Sequence, residues 1–313
     1  MTMLWGIDLG GTKLEGAVLQ SGSSPEPLCR VRIDTEAHHG YAHIIEQIAA
    51  LVEKMSAAAG GARPVKLGLG TPGTFDPHLQ AIKNSNTLCL NGKNLKADLE
   101  SRLGMAVALA NDANCFALAE ATLGAAKGAG VVFGVIMGTG VGGGIVVNGK
   151  VWNGGQGIAG EWGHNVLDEQ GPDWHHGKKG NVEAFLSGPA LEKFYESQSG
   201  THRPLKEIYA RHLENADEHA TATIRRLVHY FGKALAVVVN ILDPDVIVLG
   251  GGASNIDLLY TEGRDEIAKH IFNPRLDTKI VKPLLGDSAG VFGAAMLTAD
   301  TAAAADAIMD KET

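Results

Sequence analysis

The residues best able to do chemistry sit at glycine-rich punctuation. Asp8-Leu9-Gly10-Gly11-Thr12-Lys13 places a carboxylate immediately before a tight turn. Glycines let backbone N–H groups approach an anion, and the threonine hydroxyl and lysine amine add donors. An aspartate in that position can hold Mg²⁺ beside a polyphosphate. The spacing is not that of the G-x-x-x-x-G-K-[ST] phosphate loop. A second candidate turn, Met137-Gly138-Thr139-Gly140-Val141, is followed by more strand, which excludes a dinucleotide fingerprint. A third, Leu249-Gly250-Gly251-Gly252-Ala253-Ser254, follows an apolar strand and precedes a helix, where backbone can lie flat against an adenine or ribose. Each alone also reads as an ordinary turn. Three at strand ends point to a nucleotide site.

Other stretches carry side-chain chemistry. Asn111-Asp112-Ala113-Asn114 falls where a strand ends and a helix begins. Asp112 there is either a helix N-cap or a carboxylate placed to take a proton from a hydroxyl. Gly160-Glu161-Trp162-Gly163-His164-Asn165 offers an acceptor, a donor and an amide that does both, which suits sugar hydroxyls; a polar loop around a packed Trp is the alternative. The loop Gly171 to Asn181, GPDWHHGKKGN, raises a metal site, a phosphate-binding turn or a plain polar loop as readings.

The elements that must position these residues follow a strand-helix alternation. Leu4 to Leu19 reads as strand, Gly-Gly-Thr turn, strand, and Val131 to Val147 repeats the plan. Gly128 to Val147 is 20 residues without a charge, long enough to span a bilayer, yet eight are glycine and most others β-branched, so two buried strands are predicted. Ile44, Ile48, Leu51, Val52 and Met55 predict a helix ending at Gly60-Gly61, and Leu95, Leu99 and Leu103 another ending at Gly104. Strands are expected at 65–70, 106–110 and 246–249, a long helix over 217–242, and a small-residue helix over 288–299. The tail from Thr301 is expected to extend that helix or fray. Two related α/β lobes facing a cleft are implied. We place them at 1–118 and 119–313, with the helix at about 288–300 packing back onto the first.

Bulk properties narrow the function classes. A chain of 313 residues, 45% hydrophobic and 20% charged, supports about two domains with real cores. A net charge of −8 gives no footprint for nucleic acid or an anionic membrane. Cys29, Cys89 and Cys115 are few, odd in number and far apart, which argues for a reducing cytoplasm, and the N-terminus shows no signal peptide.

Taken together, GIDLGGTK (6–13), LGLGTPGTFD (67–76), NDANCFALAE (111–120), IMGTGVGGG (136–144), GEWGHN (160–165) and DPDVIVLGGGASN (243–255) resemble the ROK family of repressors and sugar kinases, over nearly the whole chain. EWGHN, KNSNTLCLNG (83–92) and NILDPDVIVLGGG (240–252) look most like its fructokinase and mannokinase branch. The resemblance implies two ribonuclease-H-like, actin-like ATPase lobes. It also implies phosphoryl transfer from ATP, with Mg²⁺, to a primary hexose hydroxyl. Asp112 would be the catalytic base, as well as any cap. Asp8 would hold Mg²⁺ through water. Gly10, Gly11, Thr12, Lys13, Gly138, Thr139 and Gly140 would border phosphates, and Gly251 and Gly252 the adenosine. Gly73, Asn86, Asn111, Asp112, Glu161, His164 and Glu183 would meet the sugar. Fructose is the first expectation, with mannose beside it; a glucokinase or N-acetylhexosamine kinase is the alternative. A homodimer is expected, with neither nucleic acid nor membrane as partner. Family repressors carry a DNA-binding domain before the first glycine turn, and no room for one precedes Gly10; a sugar-responsive regulator or a silent sugar-binding protein is the remaining class. The family's structural zinc motif, CxCGxxGCxE, aligns with Trp174, His176 and Asn181 at its cysteines, while Gly177, Gly180 and Glu183 keep the frame. Structural zinc is therefore not expected, and the loop reads as a former zinc scaffold held by glycines, Trp174 and polar contacts.

Overall fold

The computed structural model describes residues 3–175 and 179–299. The first strands are β1 (Leu4–Leu9), β2 (Lys13–Leu19) and β3 (Pro27–Asp34). Helix α1 (Tyr41–Ala58) leads to β4 (Lys66–Thr71), followed by a short antiparallel hairpin of β5 (Thr74–Asp76) and β6 (Ala81–Lys83). Helix α2 (Leu95–Leu103), β7 (Ala106–Asn111) and α3 (Asp112–Thr122) complete this stretch. The sheet order is β3-β2-β1-β4-β7, antiparallel between the first three strands and parallel thereafter.

A second sheet repeats this plan. Its strands are β8 (Val131–Met137), β9 (Val141–Val147), β10 (Lys150–Val151), β11 (Val246–Gly250) and β12 (Lys279–Val281), in the order β10-β9-β8-β11-β12. Between β10 and β11 the chain forms α4 (Glu183–Leu186), α5 (Gly188–Ser199), α6 (Leu205–Leu213) and α7 (Glu218–Leu242). After β11 come α8 (Glu262–Ala268) and, past β12, α9 (Ala289–Met296). In each sheet a glycine turn joins the first two strands and a parallel strand follows on the other side.

The chain divides into two compact units, each described here by itself. One takes in residues up to Gly130, Gly144–Ala159 and the segment from Pro283; the other is Val131–Gly143 with Gly160–Lys282. The division thus falls beyond residue 118, and 144–159 belong with the first unit. Backbone proximity gives the reason: the Ile145 N–H donates to Asn114 Oδ1 (3.3 Å), and a side chain at Gly144 would strike the Ala113 carbonyl.

Periodicity explains the first unit's core. Ile44, Ile48, Leu51, Val52 and Met55 of α1 are buried with Trp5, Ile7 and Leu9 of β1, Leu67 and Leu69 of β4, and Leu95 and Leu99 of α2. Each such aliphatic side chain contributes about 1.5–3 kcal/mol on burial. Helix α9 packs against β1, β4 and α3. A Cβ at Gly6 or Gly68 would fall 2.2 or 1.8 Å from its backbone, which is why small residues dominate that interface. In the second unit α7 is capped by Asp217, whose carboxylate accepts from the His219 and Ala220 N–H groups. Among the described residues no helix is long and apolar enough to cross a membrane. The tail from Thr301, like His176, Gly177 and Lys178 of the polar loop, lies outside the described residues.

Candidate active site

The first unit carries two carboxylates at the ends of β1 and β7, the strands on either side of β4. Parallel register sets Asp8 of β1 level with Gly70 of β4, and Gly70 level with Ala110 of β7. That strand ends at Asn111 and Asp112 follows it as the first residue of α3, so Asp8 and Asp112 flank β4, whose facing residue Gly70 has no side chain. A Cβ at Gly70 would lie 3.3 Å from Asp8 Oδ1 and 3.2 Å from the Cys115 sulfur. Gly290, in the first turn of α9, is as close: its Cβ would fall 2.7 Å from Asp8 Oδ2. Neither aspartate makes an ion pair among the described residues.

The electrostatics follow from that crowding. Burial, then the charge of Asp112, then that of Glu15, push the Asp8 carboxyl up to about 6. Asp112 keeps a solvent-facing edge, yet the protein around its carboxyl disfavours charge; burial raises it, and the Ala113 N–H donating to Oδ1 at 2.8 Å opposes the rise. Burial is thus the main cause for both, and Asp8 carries the repulsion between them. Beneath them the Cys115 thiol is wholly buried and held well above its ordinary range, by burial and by both carboxylates.

Asp112 is not the cap of α3. That task falls to Asn111, whose Oδ1 accepts the Asn114 N–H at 2.8 Å while its own backbone stays extended. Asp112 is the first helical residue, where the macrodipole favours its charge, and it is free for chemistry.

The turn after β1 is closed by the Gly10 N–H donating to the Lys13 carbonyl (3.0 Å) and by the Thr35 hydroxyl donating to the Gly10 carbonyl (2.7 Å). Gly11, Thr12 and Lys13 are exposed. The N–H groups of Gly11 and Thr12 and the Thr12 hydroxyl meet no acceptor among the described residues. Such unspent donors fit a phosphate. An open cavity of about 580 Å³ brings Gly11 together with Asn86, alongside Ala37, His38, Thr87, Leu88 and Cys89. The stretch around Asn86 is pinned by Asn91, whose side chain accepts from the Ser85 N–H and donates to the Ser85 carbonyl, both at 2.9 Å. Gly73 abuts the same segment: it takes a left-handed φ of 78°, and its Cβ would lie 2.7 Å from the Ser85 backbone.

The second unit carries the other assigned residues. Its first turn is closed by the Gly138 N–H on the Gly140 carbonyl (2.9 Å), leaving Thr139 and Gly140 exposed, as in the first unit. Gly251, with φ 79°, lies so near β8 that a Cβ would be 2.4 Å from the Met137 carbonyl; only glycine fits. Gly252 opens a 3₁₀ turn, and a second such turn precedes α8, so no helix follows this strand directly. Trp162 is buried, donates to the Gly142 carbonyl at 2.9 Å and packs edge-on against Phe133. It anchors a turn from which Glu161 and His164 project, 3.8 Å apart.

Glu183, expected to meet the sugar, also makes two hydrogen bonds within the protein. Its Oε1 accepts from the Trp174 indole N–H at 2.7 Å and its Oε2 from the Val141 N–H at 2.9 Å, tying the polar loop to the 138–140 turn. Asn181 is buried and its Oδ1 accepts the Ala184 N–H at 3.0 Å. Trp174 and Asn181 thus have no thiolate-like donor to offer zinc, and His176 lies outside the described residues. The residues present do not fit the family's zinc site. Gly70, Gly290 and Cys115 were not singled out as site residues; the small-residue run SAGVFGAAM (288–296) was the available signal for Gly290.

Comparisons with known proteins show the family and the fold. The profile described as "ROK family" matches residues 4–301. The chain is 39% identical over 309 residues to "N-acetyl-D-glucosamine kinase" of Vibrio cholerae serotype O1, covering 94% of this chain and 99% of that protein. It is similar to the ROK hexokinase structure from Thermus thermophilus, with TM-score 0.85, 30% identity and both chains fully covered. A ROK family glucokinase from Streptomyces griseus, in complex with glucose and AMPPNP, has TM-score 0.74 and 26% identity, covering 94% of this chain and 98% of that one.

Proposed function

The chain belongs to the ROK family, and from that premise we propose that it is an ATP-dependent hexose kinase whose sugar is N-acetyl-D-glucosamine, phosphorylated at a primary hydroxyl. The observation that carries the chemistry is the pair Asp8 and Asp112, raised by burial, without a cationic partner, and separated by the bare backbone of Gly70. Two such carboxylates call for a proton and a cation, which is what a kinase supplies. The preference for N-acetyl-D-glucosamine is supported by the Vibrio cholerae relative and by a 36% identical Aliivibrio fischeri relative of the same name. Fructose, the first expectation, has no such support, and the stretches behind it serve the backbone: Asn91 pins one loop and Trp162 anchors another.

In this reading Asp112 accepts the proton of the sugar's C6 hydroxyl as that oxygen attacks the γ-phosphorus, and the bond to the β-bridging oxygen breaks. A raised pKa makes Asp112 a stronger base than an ordinary aspartate. Mg²⁺ would be held by Asp8 through water and would neutralise charge on the phosphates. The unspent donors of Gly11 and Thr12 would orient phosphate oxygens, with Gly10 and Lys13 beside them; Gly138, Thr139 and Gly140 would do the same, and Gly251 and Gly252 would border the adenosine. Gly73, Asn86, Asn111, Glu161 and His164 are the proposed sugar contacts. Glu183 would act through the turn it holds. A homodimer is proposed as the assembly, to be checked by light scattering.

The test is ADP release with N-acetylglucosamine, N-acetylmannosamine, glucose, mannose and fructose. The highest kcat/KM is expected for N-acetylglucosamine, and Asp112→Asn should lower kcat roughly 10²- to 10⁴-fold. Turnover highest with fructose would restore the first expectation. No turnover with any sugar, or an unimpaired Asp112→Asn, would sink the reading.

A further inference from the structure

Away from the assigned residues, α7, α8 and the turn just past α8 in the second unit bring together His229, Glu266 and His270. Their ligand atoms all lie within 4.8 Å of one another, the one such group of His, Cys, Asp and Glu among the described residues. His229 Nδ1 is 3.0 Å, and His270 Nε2 3.3 Å, from the same oxygen, Oε1 of Glu266. Two atoms bound to a tetrahedral Zn²⁺ at about 2.0–2.1 Å stand roughly 3.3–3.4 Å apart, close to the spacing of each histidine nitrogen from Glu266 Oε1.

The acceptor of this group is held in place. Glu266 is mostly buried, and Gly232 of α7 gives it room: a Cβ there would meet the Glu266 Cγ at 2.3 Å. Its other oxygen, Oε2, accepts from Lys269 Nζ at 2.5 Å, which fixes the carboxylate and leaves Oε1 to the histidines. His270 stands four residues after Glu266, in the turn just past α8, and His229 comes from α7, which packs against α8. Both imidazoles are partly exposed, which leaves the approach open to an ion from solvent and a fourth position for water.

We propose that His229, Glu266 and His270 form a three-ligand site for Zn²⁺ or a similar borderline divalent cation, clamping α7 to α8. Two imidazoles and one carboxylate are a donor set suited to such ions, with water as the remaining ligand. Each imidazole coordinates through a lone pair; the proton it now shares with Glu266 goes to solvent or to its other nitrogen. The site is distinct from the Trp174 loop and does not depend on the sugar or on ATP.

The experiment titrates Zn²⁺ alone into the full chain, purified without a histidine tag, and compares His229→Gln, His270→Gln and His164→Gln. The parent and His164→Gln should each bind about one equivalent, and the first two variants at least roughly tenfold more weakly. Independently of any variant, Zn²⁺ should perturb the ring NMR signals of two histidines. Absence of binding to the parent at about 100 μM Zn²⁺ would overturn the proposal. So would undiminished binding by both His229→Gln and His270→Gln, or a loss confined to His164→Gln.

Discussion

Asp8 offers the sharpest quantitative test. Its carboxyl is raised from 3.8 to about 6, so folding favours the protonated form. The associated stability is fully present below about pH 4 and is lost as pH rises through 6. A difference near two units, at about 1.4 kcal/mol each, gives a ceiling of about 3 kcal/mol above pH 7. Partial exposure and screening reduce that to about 1–3 kcal/mol. Asn has the same shape without the charge, and no hydrogen bond of the Asp8 side chain is forfeited among the described residues. Asp8→Asn should therefore be more stable than the parent by that amount at pH 7.5, and the two should converge near pH 4. Urea unfolding of the protein without Mg²⁺ across pH 4–8 measures it. Adding Mg²⁺ with ADP should stabilise the parent and leave the variant nearly unchanged. A variant no more stable than the parent at pH 7.5, with the same pH dependence, would refute the reasoning.

Other perturbations separate roles within each unit. Because burial raises Asp112, kcat/KM should fall on the acid side at a pH above the ordinary aspartate range; a pH–rate profile flat down to about pH 4 would remove it as the base. Glu120 is fully buried and accepts from the backbone N–H groups of Ala125, Leu284 and Leu285, so Glu120→Ala should cost about 3–5 kcal/mol in denaturant melts. Glu183→Gln can keep only one of its two acceptor contacts; KM for ATP should rise several-fold with the sugar KM unchanged, whereas a rise in the sugar KM alone would make Glu183 a hydroxyl partner.

Much of the fold was legible because burial imposes a period. The α1 residues at helical spacing are the ones buried, and Gly104 stops α2 in the left-handed conformation. The repeated strand–glycine turn–strand pattern foretold two sheets of one order. What single-chain patterning could not supply was the choice between equivalent chemistries at one position. Asn111 and Asp112 both cap helices well. The decision came from register: pairing of Thr71 with Asn111 keeps residue 111 extended and makes it the cap. The unit boundary was hidden for a similar reason, since the β9–β10 hairpin returns to α3, a contact no local pattern announces.

Sugar identity was obscured by how the polar side chains are spent. The stretches most like the fructokinase branch, EWGHN, KNSNTLCLNG and NILDPDVIVLGGG, include polar side chains that the resemblance does not assign to the sugar, Asn91 and Trp162 among them. In the structure Asn91 satisfies both polar groups of Ser85, Trp162 holds the Gly142 carbonyl, and Glu183 holds Trp174 and Val141. Asn91 and Trp162 secure backbone, so those two carry little information about the substrate. Discrimination falls to side chains with polar atoms left over, and Asn86 and His38 line the open cavity of the first unit. A site that leaves such groups unpaired when the wrong sugar binds discriminates strongly. Substrate preference should therefore respond to substitutions at those two positions more than to changes within the motifs that identify the family.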